Sequence, residues 1–225
     1  MLIVIPARGG SKRIPNKNIY PICGKPLINY TLEAIYNSGL DVPIYLSTDS
    51  DAIASVAKEF SWVNIIKRPP EISKDVSSTE STLLHVLSTL DDLEDKHEWI
   101  MTLPPTSPFR TAETIRLFAK ESLKNTKNVD SIISVTANLG DFWSLNSDGF
   151  LNRLFPNAPR RQQERKPIYE ENSAIYLTRI SALKSTGSIL GRNTRGISIS
   201  ALEGFDINNK EDIKLAEHMH SYIFS

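Results

Sequence analysis

Short apolar runs alternate with amphipathic segments along most of this chain, and this alternation restricts its possible folds more than any other feature. Apolar runs of four or five residues predict strands at 2–5, 44–47, 63–66, 99–103, 131–135, 174–177 and 196–199. Apolar residues at helical spacing predict helices at 26–37, after Asp49 or Ser50, and at 78–90, 111–123 and 209–222. Strands separated by helices favour an α/β fold around a mostly parallel sheet.

The size and composition of the chain limit its organisation. With 40% hydrophobic residues, 225 residues suffice for one buried core, so we expect a single domain over 1–225. The single cysteine, Cys23, excludes an internal disulfide and fits a reducing compartment. No apolar run approaches the roughly 18 residues that span a bilayer, and no secretory signal follows Met1. We therefore expect a cytoplasmic protein that does not bind membranes.

The alternation breaks down between Asn138 and Glu171. Glycine, proline, asparagine, aspartate and arginine cluster in this segment, together with Phe142, Trp143 and Phe150. Long irregular segments inside compact domains are usually functional. We expect an inserted arm over about 138–171, which is either an active-site flap or an arm that packs on a second subunit.

The loop after the first predicted strand, "ARGGSKRIPNKN" (7–18), concentrates positive charge. Lysine plus arginine and aspartate plus glutamate number 26 each over the whole chain, yet 1–32 contains no acidic residue. The four cations of the loop would repel one another unless an anion joined them, so the loop predicts a phosphate site. A neutral chain with one basic loop suits a small polyanion better than a nucleic acid.

The position of this loop also favours a ligand site, because ligands of α/β sheets bind at the carboxyl ends of strands. Gly9 and Gly10 would let backbone amides approach an anion. The alternative is a solvated basic loop in which the glycines only make a turn. Neither G-x-x-x-x-G-K-[ST] nor G-x-G-x-x-G occurs in the chain, which weakens kinase, ATPase and dehydrogenase interpretations.

Seven short strings carry a resemblance to a known family. They are "IPARGGSKRIPNKNI" (5–19), "STDS" (47–50), "KRPPEISKDVSST" (67–79), "PPTSPFR" (104–110), "RQQ" (161–163), "NSAIY" (172–176) and "FDINNKEDIKLAE" (205–217). In this order the chain resembles the acylneuraminate cytidylyltransferases over nearly its whole length. The resemblance implies a Rossmann-like nucleotide-sugar transferase fold with a protruding dimerisation arm that closes over the partner's active site. It also implies a homodimer that joins CTP to a nonulosonic acid, giving a CMP-sugar and pyrophosphate for surface polysaccharide biosynthesis.

The resemblance assigns nucleotide-binding roles to two parts of the chain. It places Arg8 and Lys17 nearest the reacting and leaving phosphates, as catalytic residues. The other implied phosphate-loop residues are Ala7, Gly9, Gly10, Ser11, Lys12, Arg13 and Asn18. The implied contacts to cytosine and ribose come from Arg68, Ser77, Ser78 and Thr79. Ser77 or Ser78 can also cap the helix that follows, and the two roles are compatible.

The resemblance assigns residues to the sugar half of the site less directly than to the nucleotide half. By resemblance Arg161 clamps the sugar carboxylate, with Gln162 beside it. The other implied sugar-site residues are Pro104, Thr106, Ser107, Trp143, Asn172 and Tyr176. On the residues alone, Arg161 could equally belong to a solvated basic arm with its cationic neighbours.

Three departures from the family pattern concern the sugar. Pro104 stands where sialic acid enzymes usually have glutamine, Trp143 stands in place of a lysine, and Tyr169 and Glu170 replace an arginine. The nucleotide-binding roles of the family therefore carry over to this chain more firmly than its sugar-binding roles. We expect a nonulosonate other than N-acetylneuraminic acid, such as a legionaminic or pseudaminic acid, or a shorter ulosonate.

The string "FDIN" bears on the metal, because the family usually has two aspartates there, separated by one residue. This chain keeps Asp206 and has Asn208, which retains an oxygen ligand and removes one charge. The resemblance implies that both hold Mg²⁺. Two alternatives remain: a nucleotidyltransferase that uses another base and a sugar 1-phosphate, such as a guanylyltransferase, and a catalytically silent nucleotide-binding subunit.

Overall fold

The computed structural model describes residues 1–74, 76–90, 96–124 and 128–223. The strands in chain order are β1 (Leu2–Pro6), β2 (Pro21–Ile22), β3 (Lys25–Pro26), β4 (Ile44–Thr48), β5 (Asn64–Lys67), β6 (Trp99–Thr102), β7 (Ser131–Asn138), β8 (Trp143–Leu145), β9 (Leu151–Arg153), β10 (Ile168–Arg179) and β11 (Thr194–Ser198). The described helices are α1 (Leu27–Ser38), α2 (Asp51–Ala57), α3 (Thr79–Thr89), α4 (Ala112–Ser122), α5 (Ile180–Thr186) and α6 (Lys210–Ile223).

The central sheet has seven strands in the order β11-β7-β10-β6-β1-β4-β5. Strand β10 runs antiparallel to β6 and β7, while the remaining neighbours pair in parallel. The predicted α/β fold with a mostly parallel sheet is therefore confirmed, and all seven predicted strands are present. Strand β10 is longer than its apolar pattern indicates. A register shift between Glu171 and Tyr176 marks a bulge, in which Ser173 has a φ of 60°.

Helices cover both faces of the sheet. Along β1, Ile3 and Ile5 pack on the side of α1 and α4, whereas Leu2 and Val4 pack on the side of α3 and α5. Full burial on both faces explains why β1 is a continuous apolar run. The sheet thereby holds the carboxyl end of β1, where the basic loop begins. Among the described residues, no helix has the length and apolar character to span a bilayer.

Side-chain caps start three of the predicted helices. Ser50, Ser78 and Thr111 each accept a hydrogen bond from the backbone amide three residues on, at 3.4, 3.2 and 3.2 Å. The five predicted helices correspond to α1, α2, α3, α4 and α6. The seven-residue α5 was not predicted, because so short a segment shows little helical periodicity.

The arm differs from its expected extent, because β7 continues to Asn138 and β10 already starts at Ile168. Between them, β8 and β9 form a hairpin. Asp141 holds the base of the hairpin through Arg153 at 2.8 and 3.0 Å and Arg165 at 3.3 Å. Several large apolar side chains of the arm remain exposed, namely Trp143, Leu145, Phe150, Leu151, Leu154 and Phe155.

Candidate active site

The basic loop is anchored to the end of the neighbouring strand β4. The amide of Ala7 donates to the carbonyl of Ser47 at 3.0 Å, and the amide of Gly9 donates to Oδ1 of Asp49 at 2.8 Å. A Cβ at Gly9 would lie 2.8 Å from the Cβ of Ser50, so this close approach requires glycine. The side chain of Asn18 closes the loop by donating to the Arg8 carbonyl at 2.9 Å.

The loop surrounds a cationic cavity of about 370 Å³, which is lined by Arg8, Ser11, Lys12, Arg13, Lys17 and Asn208. All four loop cations thus converge on one space, as the sequence predicts. Burial lowers the pKa of Lys17, and the charge of Asp206 partly opposes this shift. Converging cations around an open cavity have the charge and the space that suit a small polyanion.

A chain of hydrogen bonds joins the basic loop to the "FDIN" segment and to the "PPTSP" segment. Lys17 donates its Nζ to the carbonyl of Ile207 at 2.8 Å, and the amide of Ile207 donates to the carbonyl of Thr106 at 2.9 Å. This bridge brings Asp206 and Asn208, far away in sequence, to the rim of the cationic cavity.

A second cavity of about 400 Å³ adjoins the first, since Asn208 lines both. Its lining residues are Thr136, Glu170, Glu171, Asn172, Ser173, Ala201, Gly204, Phe205, Asp206 and Asn208. Three of these are carboxylates, and no lysine or arginine lines this cavity in the part of the chain that the structure describes. We call it the acidic cavity.

Two predicted sugar-site residues shape this acidic cavity. Asn172 accepts from the Ser134 hydroxyl at 2.6 Å and donates to Thr136 at 2.9 Å, so its amide fixes the bulge of β10. Tyr176 lies behind the lining and donates its hydroxyl to Glu171 and to Ser173. Burial, reinforced by Glu171, raises the pKa of Tyr176 above its usual value. Both residues are occupied with holding the cavity wall.

The rim between the two cavities has oxygen donors that suit a divalent cation. The Oδ1 atom of Asp206 is buried and has no hydrogen-bond partner among the described residues. Its Oδ2 atom accepts from the Asn208 amide at 2.8 Å. No group of three or more histidine, cysteine, aspartate or glutamate side chains that could hold a metal occurs among the described residues. A fit to Mg²⁺ rests instead on the unpartnered Oδ1 of Asp206 beside the Asn208 amide, since Mg²⁺ commonly takes its other ligands from water and substrate phosphates.

The implied base and ribose contacts line neither cavity. Arg68 is 5% exposed and donates to the hydroxyl and carbonyl of Ser47 at 3.2 and 2.9 Å. Burial lowers its pKa to about 10. Ser78 caps α3, the Ser77 amide bonds to the Lys74 carbonyl at 3.0 Å, and Thr79 is exposed at the start of α3. In this structure Arg68 holds the end of β4, and Ser78 holds the first turn of α3.

The structure does not bring the arm residues to either cavity within one chain. The Arg161 side chain is 82% exposed and lies 3.6 Å from Glu164. Gln162 is exposed, and Trp143 in β8 is 43% exposed.

Pro104 and Ser107 lie in the segment that follows β6, and Ser107 is buried.

Some residues of the site escaped the sequence analysis. Asp49, which holds Gly9, was visible within the quoted "STDS" string. Of the residues that line the acidic cavity, Glu170 was noted only as a departure from the family pattern and Ser173 only within the quoted "NSAIY" string. Glu171 and Thr136 were not singled out, because β10 and β7 meet there only through long-range pairing. No local motif marks that pairing.

Comparison with known proteins identifies the family of this chain. A family model described as cytidylyltransferase matches residues 2–194. The chain belongs to this cytidylyltransferase family. It is 32% identical over 222 residues to the CMP-N,N'-diacetyllegionaminic acid synthase of Legionella pneumophila, covering 97% of this chain and 95% of that protein. It is 29% identical to the N-acylneuraminate cytidylyltransferase of Streptococcus agalactiae serotype III, covering 94% of this chain but about half (51%) of that longer protein.

Two solved structures share the fold of this cytidylyltransferase. A CMP:2-keto-3-deoxy-manno-octonic acid synthetase complexed with CTP superposes with a TM-score of 0.68 at 14% identity, covering 99% of this chain and 98% of that one. The 4-diphosphocytidyl-2C-methyl-D-erythritol synthase of Anaerococcus prevotii gives 0.69 at 14% identity, with 100% and 96% covered. The predicted Rossmann-like nucleotidyltransferase fold is confirmed, and the family favours cytidylyl transfer over the guanylyltransferase alternative.

Proposed function

We propose that this cytidylyltransferase joins CTP to a nonulosonic acid of the legionaminic or pseudaminic type and releases pyrophosphate. The observation that carries the proposal is the pair of adjoining cavities, one cationic and one acidic, that share Asn208. In this proposal the triphosphate would occupy the cationic cavity and the sugar would occupy the acidic one. The Legionella pneumophila relative, which is 32% identical, is by its name a CMP-N,N'-diacetyllegionaminic acid synthase, and this supports the sugar class.

The reaction depends mainly on neutralising the charge of the phosphates and on positioning the two substrates. A sugar hydroxyl forms a new bond to the α-phosphorus, the bond to the pyrophosphate oxygen breaks, and the hydroxyl proton is released. Arg8, Lys12, Arg13 and Lys17 would neutralise the phosphates and hold them in line. Asp206 and Asn208 would hold Mg²⁺, which when bound supplies positive charge to the phosphate oxygens.

The acidic cavity raises a problem for an acidic sugar, since its carboxylate needs a cation. Arg161 is the implied partner, yet it lies on the exposed arm of the same chain. The arm also exposes apolar side chains, including Phe150 and Leu151, and such patches commonly mark protein interfaces. We infer that two copies of this chain form a homodimer in the cytoplasm, in which the arm of each copy delivers Arg161 to the sugar cavity of the other.

The proposed reaction is tested by pyrophosphate release from the four nucleoside triphosphates, each with a panel of ulosonic acids, with and without magnesium. Release that requires CTP, one nonulosonic acid and magnesium supports the proposal. Release with GTP and a sugar 1-phosphate instead would support the guanylyltransferase alternative. CTP binding without any release, over the whole panel, would identify a silent nucleotide-binding subunit.

Replacement of Arg161 by alanine is expected to raise the KM for the sugar by roughly 10²-fold, because a charge-assisted carboxylate pair contributes about 2–3 kcal/mol. CTP affinity, measured by calorimetry, should change little. Arg160→Ala is the matched control, since Arg160 is equally exposed and lies 3.8 Å from Asp141 within the arm. An equal loss of CTP and sugar binding in Arg161→Ala would contradict the assigned role.

Mixed dimers test whether Arg161 acts on the other chain. Arg161→Ala and Asp206→Asn chains are unfolded, mixed and refolded together, and assayed at a sugar concentration below the KM of Arg161→Ala. Random pairing of two chains gives roughly a quarter of sites with both Arg161 and Asp206 intact, so activity should return to about that fraction. No recovery, in dimers whose formation is verified by sedimentation, would show that Arg161 does not act across the interface.

A further inference from the structure

Arg110 is a buried cation whose partners are not carboxylates. It ends the "PPTSPFR" segment and is only 3% exposed. Its guanidinium donates to the Thr31 hydroxyl at 2.9 Å, to the Pro104 carbonyl at 3.3 and 3.4 Å, and to the Ala174 carbonyl. No carboxylate lies within ion-pair distance of it among the described residues. Burying a guanidinium without an ion-pair partner is costly: burial lowers the pKa of Arg110 to about 9, and the more distant charge of Glu203 only partly opposes this shift.

The three acceptors lie on separate parts of the chain. Thr31 belongs to α1, Pro104 follows β6, and Ala174 belongs to β10. A planar guanidinium with several donors in fixed directions can tie three such elements together, whereas a lysine ammonium has no comparable fork. Arg110 thus occupies the point at which these elements meet.

Two of these acceptors adjoin the walls of the acidic cavity and its rim. Ala174 directly follows Asn172 and Ser173, which line the cavity. Pro104 precedes Thr106, whose carbonyl receives the Ile207 amide at 2.9 Å. The carbonyl of Ile207 in turn receives Lys17 at 2.8 Å. Arg110 therefore connects the bulge of β10 to the segment that presents Asp206 and Asn208.

The residue after Arg110 strengthens the same connection. The hydroxyl of Thr111 donates to Oε1 of Glu203 at 2.7 Å, and the Thr111 amide donates to the same oxygen at 3.1 Å. Glu203 directly precedes Gly204 and Phe205 in the cavity wall. Arg110 and Thr111 together hold both sides of the acidic cavity.

We propose that Arg110 is a positioning residue for cytidylyl transfer, which sets the sugar cavity and the Asp206–Asn208 rim in register with the phosphate loop. This inference rests on the proposed function. Arg110 lines neither cavity, but it holds the backbone behind the acidic cavity and the segment that bonds to Ile207. Its loss should therefore misplace the sugar relative to a CTP that still binds.

Arg110→Met and Arg110→Lys test this role by a comparison of kcat, the KM for the sugar and calorimetric CTP binding. We expect kcat per folded site to fall by about 10²-fold, the loss that a misplacement of about 1 Å can cause, with a raised sugar KM. CTP affinity should stay within about 3-fold, because the phosphate loop keeps its own anchors on β4. The lysine variant should lose activity like the methionine variant, because neither side chain has the forked donors of the arginine guanidinium.

Two further variants separate positioning from stability. Leu183→Ala removes a buried side chain of α5 that lines neither cavity and contacts none of the Arg110 partners by hydrogen bond, and it should lower the thermal midpoint without changing kcat per folded site. Thr31→Val keeps the volume of a buried side chain but removes one Arg110 acceptor, and should lower kcat by roughly 3- to 10-fold. Thr31→Val also remains informative if the Arg110 variants do not fold.

The outcomes are distinguishable from failure of the proposed function. If the wild-type enzyme releases pyrophosphate and the Arg110 and Thr31 variants match it per folded site, as Leu183→Ala should, Arg110 is only a structural residue. A parallel loss of CTP binding would also overturn the proposal. If the wild-type enzyme itself releases no pyrophosphate with any ulosonic acid, the proposed function fails, and the positioning role fails with it.

Discussion

Replacement of Asp206 by asparagine is expected to lower turnover by about 10³-fold, the upper range for removing one preorganised electrostatic contact at a reacting group. The Oδ1 atom of Asp206 is buried without a described partner at the rim between the cavities, which suits a metal ligand better than a surface carboxylate. The substitution keeps the shape of the side chain and removes its charge. Steady-state pyrophosphate release at saturating CTP and sugar measures the effect.

Asn208→Asp is the matched opposite change, two residues away on the same rim. It adds the carboxylate that the family usually has there, so half-saturation should shift to a lower magnesium concentration. A magnesium titration of the three proteins measures this shift. Activity that survives both chelation and Asp206→Asn would contradict the metal assignment and would point to Lys12 and Arg13 as the charges that replace the metal.

Arg8→Ala and Lys17→Ala are each expected to lower turnover by about 10²-fold or more, because each removes a preorganised charge from the cationic cavity. Lys17→Ala should have the larger effect, since it also removes the bond to the Ile207 carbonyl at 2.8 Å. Single-turnover kinetics with CTP in excess separates the chemical step from product release.

Lys25→Ala provides the control for lost positive charge. Lys25 lies in the same acid-free stretch of sequence, but it pairs with Glu33 at 2.6 Å and lines neither cavity. Its replacement should leave turnover unchanged. Near-normal rates in both Arg8→Ala and Lys17→Ala, or an equal loss in Lys25→Ala, would contradict the role of the loop.

Local patterns account for the parts of the fold and the site that could be predicted from the sequence. The continuous apolar run of β1 identifies a strand buried on both faces, and the cations of the loop are neighbours in sequence. Helix caps such as Ser78 are also local, because the side chain and the amide that it binds are three residues apart. These features need no knowledge of the tertiary structure.

Long-range pairing accounts for the parts that could not be predicted. The apolar residues of β10 identify a strand but not its antiparallel direction, which depends on β6 and β7. The acidic cavity likewise forms where Glu170 and Glu171 meet Asp206 across the fold. The buried state of Arg110 was equally invisible, because an arginine in a proline-rich segment is usually exposed.

The bond between Lys17 and Ile207 spans 190 positions of sequence, which has a consequence for biosynthesis. The last strand of the central sheet, β11, ends at Ser198, so every strand of the sheet is synthesised before Asp206 and Asn208. Until the 205–208 segment emerges, the basic loop lacks the partner that joins it to the acidic cavity. The strands of the sheet and the basic loop are therefore complete in the growing chain before the segment that links the two cavities has been made.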